Sequence, residues 1–254
     1  MTADTQGIFP RFAQELMERQ LLPAGGGCLI VALSGGLDSV CLLHLFLRYQ
    51  REFAPDFELC AHHQQHHIRG LEARADLDFC QDLCSANDIR LFVSENDVPS
   101  LAKATGQSLE DAARSVRYHN WERLAERLEG EGYEVRIATA HHAQDQAETV
   151  LLHLERGSGL AGLTGMAPLR GHYIRPLLMF EKDELEQLAI GNGWAWREDS
   201  TNFEIAYHRN FLRREVLPLW QQSADPGLAA RIGRTAEYLR GLRGWIDEEV
   251  AAKL

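Results

Sequence analysis

Residues 28–47 read CLIVALSGGLDSVCLLHLFL, and most of the architecture follows from them. CLIVAL at 28–33 is apolar at every position and short, as a strand buried on both faces requires. SGGLDS at 34–39 breaks the run with two glycines and two hydroxyls, and VCLLHLFLRYQ then carries an apolar helical face. The order strand, glycine loop, helix lets successive backbone N–H groups face an anion. The glycines permit close approach, and the helix that follows offers its positive end. Ser34, Gly35, Gly36, Leu37, Asp38 and Ser39 are therefore candidate phosphate-binding residues. Asp38 is the informative one, because a carboxylate beside bound phosphates repels them unless it holds a metal ion or positions another group. The loop lacks the lysine of GxxxxGK[ST] and the spacing of GxGxxG, so neither a standard phosphate-loop NTPase nor a dinucleotide dehydrogenase is indicated.

Working outward, an amphipathic helix is expected over residues 8–21, ahead of the Pro23 to Gly27 turn. FELCAHH at 57–63 reads as a second strand, followed by a polar His/Gln stretch with loop histidines and a helix over 71–87. IRLFVSE at 89–95 is a third strand, 108–129 a long helix, VRIATAHH at 135–142 a further strand closed by His141 and His142, and 145–154 a helix. The glycines of 157–166 suit a structured loop better than a helix. A short helix is expected within 180–194, ended near Gly191 and Gly193, then a loop at 197–202, a helix over 209–220 broken by ADPG, and a helix over 227–254. Strands and helices alternating at this spacing predict an α/β fold with a mostly parallel central sheet, helices on both faces and right-handed crossovers. Reactive groups then collect at the carboxyl ends of the strands. Residues 1–178 form the expected catalytic domain, and 179–254 a helical extension.

Composition narrows the class. The 254 residues hold 21 Gly and 8 Pro, ordinary proportions that argue against a collagen-like or disordered chain. No apolar run approaches the roughly 20 residues of a membrane span, and the opening residues lack an export signal, so a cytoplasmic protein without membrane association is expected. Five cysteines without a second close pair read as reduced, buried thiols rather than a metal site. The net charge of -11 disfavours a nucleic-acid partner at first sight. It is uneven, however: residues 203–254 carry 8 basic and 7 acidic groups, and only 3 of the 26 basic residues are lysines. Arginine suits bidentate phosphate contacts, so total charge does not settle the partner.

A second constellation follows the fourth strand. Asp145 and Glu148 lie about one helical turn apart, with His141 just before them, and such carboxylates suit Mg2+ with ATP phosphates or the ammonium group of an incoming amine. HHAQDQ imitates a metal cluster, yet a zinc site is disfavoured because no thiol is near and carboxylates prefer a harder ion. Arg114 and Arg117 share a helix face before Tyr118, where guanidinium forks suit ATP or RNA phosphates. Arg209 and Arg213, with Asn202 and Asn210, form a later polar set.

SGGLDS after CLIVAL resembles the pyrophosphate loop of the N-type ATP pyrophosphatases, which cleave ATP to AMP and pyrophosphate. HHAQDQAETVLLHLERGSGLAGLTGM, RPLL, EDSTN and YHRNFLR at 207–213 are similar, in order, to the motifs of bacterial tRNA(Ile)-lysidine synthetase, over about residues 28–220. The resemblance implies ATP-dependent attachment of L-lysine to C2 of the wobble cytidine in the CAU anticodon of a tRNA(Ile). Asp38 and Asp145 would hold Mg2+, and Asp38, Asp145, Glu148 and Arg114 would act at the reacting groups. His63 and His141 would border ATP, with His62 as an alternative to His63, and Asn202, Arg209, Asn210 and Arg213 would lie near lysine and the nucleotide. A homodimer is left open. The family commonly carries an acid where Gln144 stands, and many members have further C-terminal domains that grip tRNA, which residues 221–254 cannot contain. A tRNA sulfur-transfer enzyme and a noncatalytic ATP- or RNA-binding module are the competing readings; for the first, Cys80 and Cys84 read as remote from the motif loops.

Overall fold

A computed structural model describes residues 7–67, 71–198, 208–223 and 227–253. Six strands form one sheet in the order β3-β2-β1-β4-β6-β5, namely β1 Gly27–Ala32, β2 Phe57–Gln65, β3 Arg90–Glu95, β4 Val135–Ala138, β5 Leu169–Arg170 and β6 Tyr173–Ile174. All neighbours pair in parallel except β5 with β6, an antiparallel hairpin that closes one edge. The helices are α1 Ile8–Glu18, α2 Leu37–Phe53, α3 Leu71–Ser85, α4 Val98–Thr105, α5 Leu109–Gly130, α6 Ala143–Glu155, α7 Leu160–Leu163, α8 Lys182–Asn192, α9 His208–Phe211, α10 Leu217–Ser223 and α11 Leu228–Ala251. A π-helical turn at Leu212–Val216 joins α9 to α10.

The two-faced burial expected of CLIVAL is realised residue by residue. Leu29, Val31 and Leu33 face α1, α2 and α8, whereas Cys28 and Ile30 face Trp121, Leu124 and Leu128 of α5. Leu42, Leu43 and Phe46 of α2 are fully buried, each worth about 1.5–3 kcal/mol relative to exposure. This anchors the residues just beyond the glycine loop. Leu185, Leu188 and Ala189 of α8 join the same core, so packing does not break at residue 178.

Several boundaries differ from expectation for local reasons. β2 runs to Gln65, because Gln64 and Gln65 pair in register with Ser94 and Glu95, and Gln64, Asn96 and Asn120 satisfy one another's amides at 2.6–3.1 Å. His62 and His63 are buried on this strand, as the 57–63 reading places them, and the strand continues two residues past it. β4 ends at Ala138, and His142 becomes the residue before α6. α4 is only eight residues long, with Val98 and Ala102 buried one turn apart, and it starts on the Asp97 cap, whose carboxylate accepts from Ser100 N at 3.0 Å. β5 and β6 are two residues each, too short for any periodic signal. α8 passes through Gly191 and stops at Gly193, whose φ of 66° only glycine adopts freely. Among the described residues no helix is long and apolar enough to cross a membrane.

β2 carries a pH sensor of stability. His62 Nδ1 accepts from Trp121 Nε1 at 3.1 Å, its Nε2 faces Ser94 Oγ at 3.0 Å, and it is 2% exposed. Burial, then His63 and Arg117, lower its pKa from 6.5 to about 4. The unfolded chain therefore binds the proton more readily, and stability falls as pH drops from 6.5 towards 4, by on the order of 2–3 kcal/mol for this group. Thermal melts between pH 7 and 4.5 should show this loss, and His62→Gln should flatten that part of the profile. An unchanged slope in the variant would remove His62 as its source.

Candidate active site

The glycine loop closes on itself through Ser39. Its hydroxyl accepts from Ser34 N at 3.2 Å, lies 3.1 Å from Ser34 Oγ and donates to Gly36 O at 2.9 Å. Gly35 adopts φ +89°, and a Cβ there would stand 3.3 Å from Phe79 and 3.4 Å from Cys80. Only glycine meets both demands. Asp38, in the first turn of α2, directs Oδ2 towards His142 Nε2 at 3.6 Å, while its Oδ1 is buried with no hydrogen-bond partner among the described residues. A buried carboxylate oxygen left unsatisfied is costly unless something completes it.

Across the carboxyl ends of the strands, α6 presents the second constellation. Asp145 Oδ2 accepts from His142 N at 3.0 Å and lies 3.5 Å from His142 Nε2. Glu148, with a side chain 0% exposed, takes two guanidiniums: Arg209 Nε at 2.7 Å and Arg213 Nε at 2.6 Å. The same arginines reach Asp145 Oδ1 through Nη2, at 3.4 Å and 2.9 Å respectively. Two parallel forks thus bridge two carboxylates one turn apart. Burial disfavours the Asp145 charge, but His142, His141, Arg213 and the His142 amide outweigh it and hold its pKa at about 2. Burial likewise opposes a proton on His142, yet Asp145 and Asp38 lift its pKa above the ordinary value. His141 goes the other way: burial, against the pull of Asp145, lowers it to about 4, and Arg175, Arg209 and Arg114 contribute.

A cavity of about 470 Å3 joins these parts, lined by Ser34, Gly36, Asp38 and Ser39 from the loop side, His62 and His63 from β2, and Arg117, His141 and Asp145 opposite. His63 Nδ1 donates to Leu33 O at 2.9 Å. Of the expected site residues, the 34–39 loop, His63, His141, Asp145, Glu148, Arg209 and Arg213 come together. Arg114 is exposed on α5 with its guanidinium over the Tyr118 ring at 5.2 Å, beside rather than within the cavity wall. Asn202 lies outside the described residues, and Asn210 is placed only as a backbone position of α9.

Three features escaped the sequence reading. Arg197 donates its backbone N–H to Gly35 O at 2.9 Å and its Nε to Asp76 at 3.1 Å, pinning the glycine loop from a distant segment. No spacing signals this. Cys80 lies directly beneath Gly35, not remote from the motif loops; burial pushes its thiol up to about 12 and that of Cys84 up to about 11. Gln144 bridges α6 to α8, donating to Glu181 Oε2 at 2.7 Å and accepting from Lys182 N at 3.1 Å. An acid at 144 would face Glu181, which accounts for an amide here.

Comparison with known proteins places these features in context. The model of the PP-loop domain family matches residues 9–220. The chain is 34% identical over 247 residues to the tRNA(Ile)-lysidine synthase of Clostridioides difficile, covering 97% of this chain and 52% of that protein. It is 36% identical over 240 residues to the tRNA(Ile)-lysidine synthase of Chlorobaculum tepidum, covering 94% and 71%. The chain spans about half the length of the first curated relatives it matches. Among solved structures, the U34-tRNA thiolase NcsA of Methanococcus maripaludis, with its 4Fe–4S cluster, superposes with a TM-score of 0.73 at 19% identity, covering 93% of this chain and 79% of that one. That likeness concerns the fold.

Proposed function

The chain belongs to the tRNA(Ile)-lysidine synthase family of PP-loop proteins, and from that membership we propose that it attaches L-lysine to C2 of the wobble cytidine of tRNA(Ile) with a CAU anticodon, consuming ATP. The observation that carries this reading is the convergence of the glycine loop, Asp38 and Asp145 on one cavity, with Glu148 buried behind Asp145 and joined to it through the shared Arg209 and Arg213 forks.

The backbone N–H groups of the 34–39 loop and the α2 terminus hold the pyrophosphate portion of ATP. His63 and Arg117 border the nucleotide. Asp38 fits a Mg2+ ion, since its buried oxygen is a hard donor without a partner beside the phosphate cradle. Asp145 fits as a second ligand only after releasing Arg213, because both its oxygens are engaged. When bound, the ion neutralises phosphate charge as AMP is transferred to the base carbonyl oxygen. His141, kept neutral by burial, borders the reacting groups without adding positive charge. The lysine ε-amine then attacks C2 and AMP departs. Asp145 and Glu148 draw the ammonium in by competing it against Arg209 and Arg213, and Arg114 stabilises charge on the cytidine being modified. Residues 1–178 serve catalysis, and 179–254 add the arginines that complete the lysine side. The protein acts in the cytoplasm, as a monomer or homodimer.

Purified protein with ATP, unmodified tRNA(Ile) and lysine should release AMP and pyrophosphate in a lysine-dependent manner and yield a lysyl adduct by mass spectrometry. tRNA binding without either product would refute the activity. Sulfide should not substitute for lysine: all five cysteines are buried, and Cys80 at the loop and Cys84 one helical turn further on are held as neutral thiols at neutral pH, poor nucleophiles for sulfur transfer.

A further inference from the structure

In a chain of net charge -11, most buried or half-buried arginines have a carboxylate to face, as Arg19, Arg136, Arg209, Arg213 and Arg240 do. Arg114, Arg117, Arg170 and Arg175 make no ion pair among the described residues. Arg175 is the extreme case. It follows β6 and is 7% exposed, with one Nη donating to Ala167 O at 2.8 Å and a buried Nε that has no hydrogen-bond partner among the described residues. Burial lowers its pKa against the Tyr118 hydroxyl, which hydrogen-bonds it and raises it, and the nearby Arg170 and Arg114 guanidiniums add to the lowering. Holding three guanidiniums together without a counter-charge opposes folding unless an anion completes the group.

The place of the cluster indicates which anion. Arg117 lines the cavity beside the glycine loop, whereas Arg114, Arg170 and Arg175 do not. In the strand order β1-β4-β6, the glycine loop caps β1, His141 follows β4 and Arg175 follows β6. Arg175 therefore sits two strands, roughly 10 Å, from the phosphate cradle, on the side away from β2. ATP phosphates are accommodated at the loop, and the cluster remains beyond them next to His141, where an incoming base approaches. We propose that Arg114, Arg170 and Arg175 form a phosphodiester cradle that grips the RNA backbone beside the base to be modified. This deepens the lysidine reading and rests on it for the identity of the RNA. The exposed Arg170 and Arg114 would steer the strand, and Arg175 would fix one phosphate through its planar fork.

The test measures equilibrium binding of a fluorescent anticodon stem–loop RNA across a KCl series, with a fluorescent ATP analogue titrated in parallel, for the wild type, Arg170→Ala and Arg175→Lys. Arg170 is on the exposed edge hairpin, so its loss leaves the core intact. Removing one phosphate contact should weaken RNA binding about 5–10-fold at moderate salt and reduce the slope of log K against log [salt] by about 0.7–0.9, with ATP affinity unchanged. Arg175→Lys should weaken RNA binding while keeping the charge. Unchanged RNA affinity and slope in both variants would overturn the proposal. Weakened ATP binding with unchanged RNA binding would assign the cluster to the nucleotide and overturn it equally. The readout needs no turnover: RNA gripped through these arginines without lysyl adduct would sink the activity alone, and adduct formation with unaltered RNA binding in both variants would sink the cradle alone.

Discussion

Glu148→Ala is expected to lower lysine-dependent AMP release at least 100-fold and to destabilise the fold by about 2–4 kcal/mol, because it strands two guanidiniums against a buried site. Removing one partner of a buried ion pair commonly costs about 3–5 kcal/mol; the estimate is reduced because Arg213 remains 41% exposed and water recovers part of its solvation. For a domain of this size the melting temperature should fall by roughly 5–15 °C. Glu148→Gln separates the two effects. It keeps the volume and one acceptor, so most stability should return, while activity should stay low because the parallel alignment of Arg209 and Arg213 needs both carboxylate oxygens. Full lysine-dependent turnover in Glu148→Gln would show that the paired forks are not required.

Asp38→Asn should produce the opposite balance. Asp38 Oδ1 is buried and unsatisfied, so an amide there removes a poorly compensated charge while giving up the attraction to His142, and stability should change little. Pyrophosphate release should nevertheless drop by about 10³-fold, in the range seen when one preorganised electrostatic group is removed from a reaction centre. Half-saturating Mg2+ for the residual activity should rise. A variant that is as stable as the wild type and releases pyrophosphate at an undiminished rate would exclude Asp38 from ATP chemistry. Together the two substitutions separate a residue that supports the fold and the site from one that serves the site alone.

Legibility in the sequence followed the length scale of each signal. The α/β order, the buried first strand and the glycine loop rest on runs of five or more residues with a clear period, and the structure places them within a residue or two. Glu148 and Asp145 were legible because i and i+3 share a helix face. That Arg209 and Arg213 meet those carboxylates was not, since about 60 residues intervene and no local pattern encodes a tertiary ion pair. Arg197 on Gly35 and Gln144 against Glu181 belong to the same class. β5 and β6 escaped for a different reason: two residues carry no alternation, and their pairing is set by the neighbouring β4 ladder.

The π turn at Leu212–Val216 has a consequence for how this segment can change over time. In an α-helix each four-residue step overshoots a full turn by about 40°. The wider turn takes back part of that drift, so Arg209, Arg213 and Leu217 all keep to the side of α6, the first two on its carboxylates and the last against Ala143 and Ala147. Deleting a single residue within the turn would restore an ordinary helix and leave Leu217 close to its present side, because the wider turn is what absorbs the extra residue. A length change elsewhere in the segment would rotate everything downstream by about 100° per residue, whereas the π turn is the one place that can lose a residue and keep the phase, so spacing is as much a part of this site as side-chain identity.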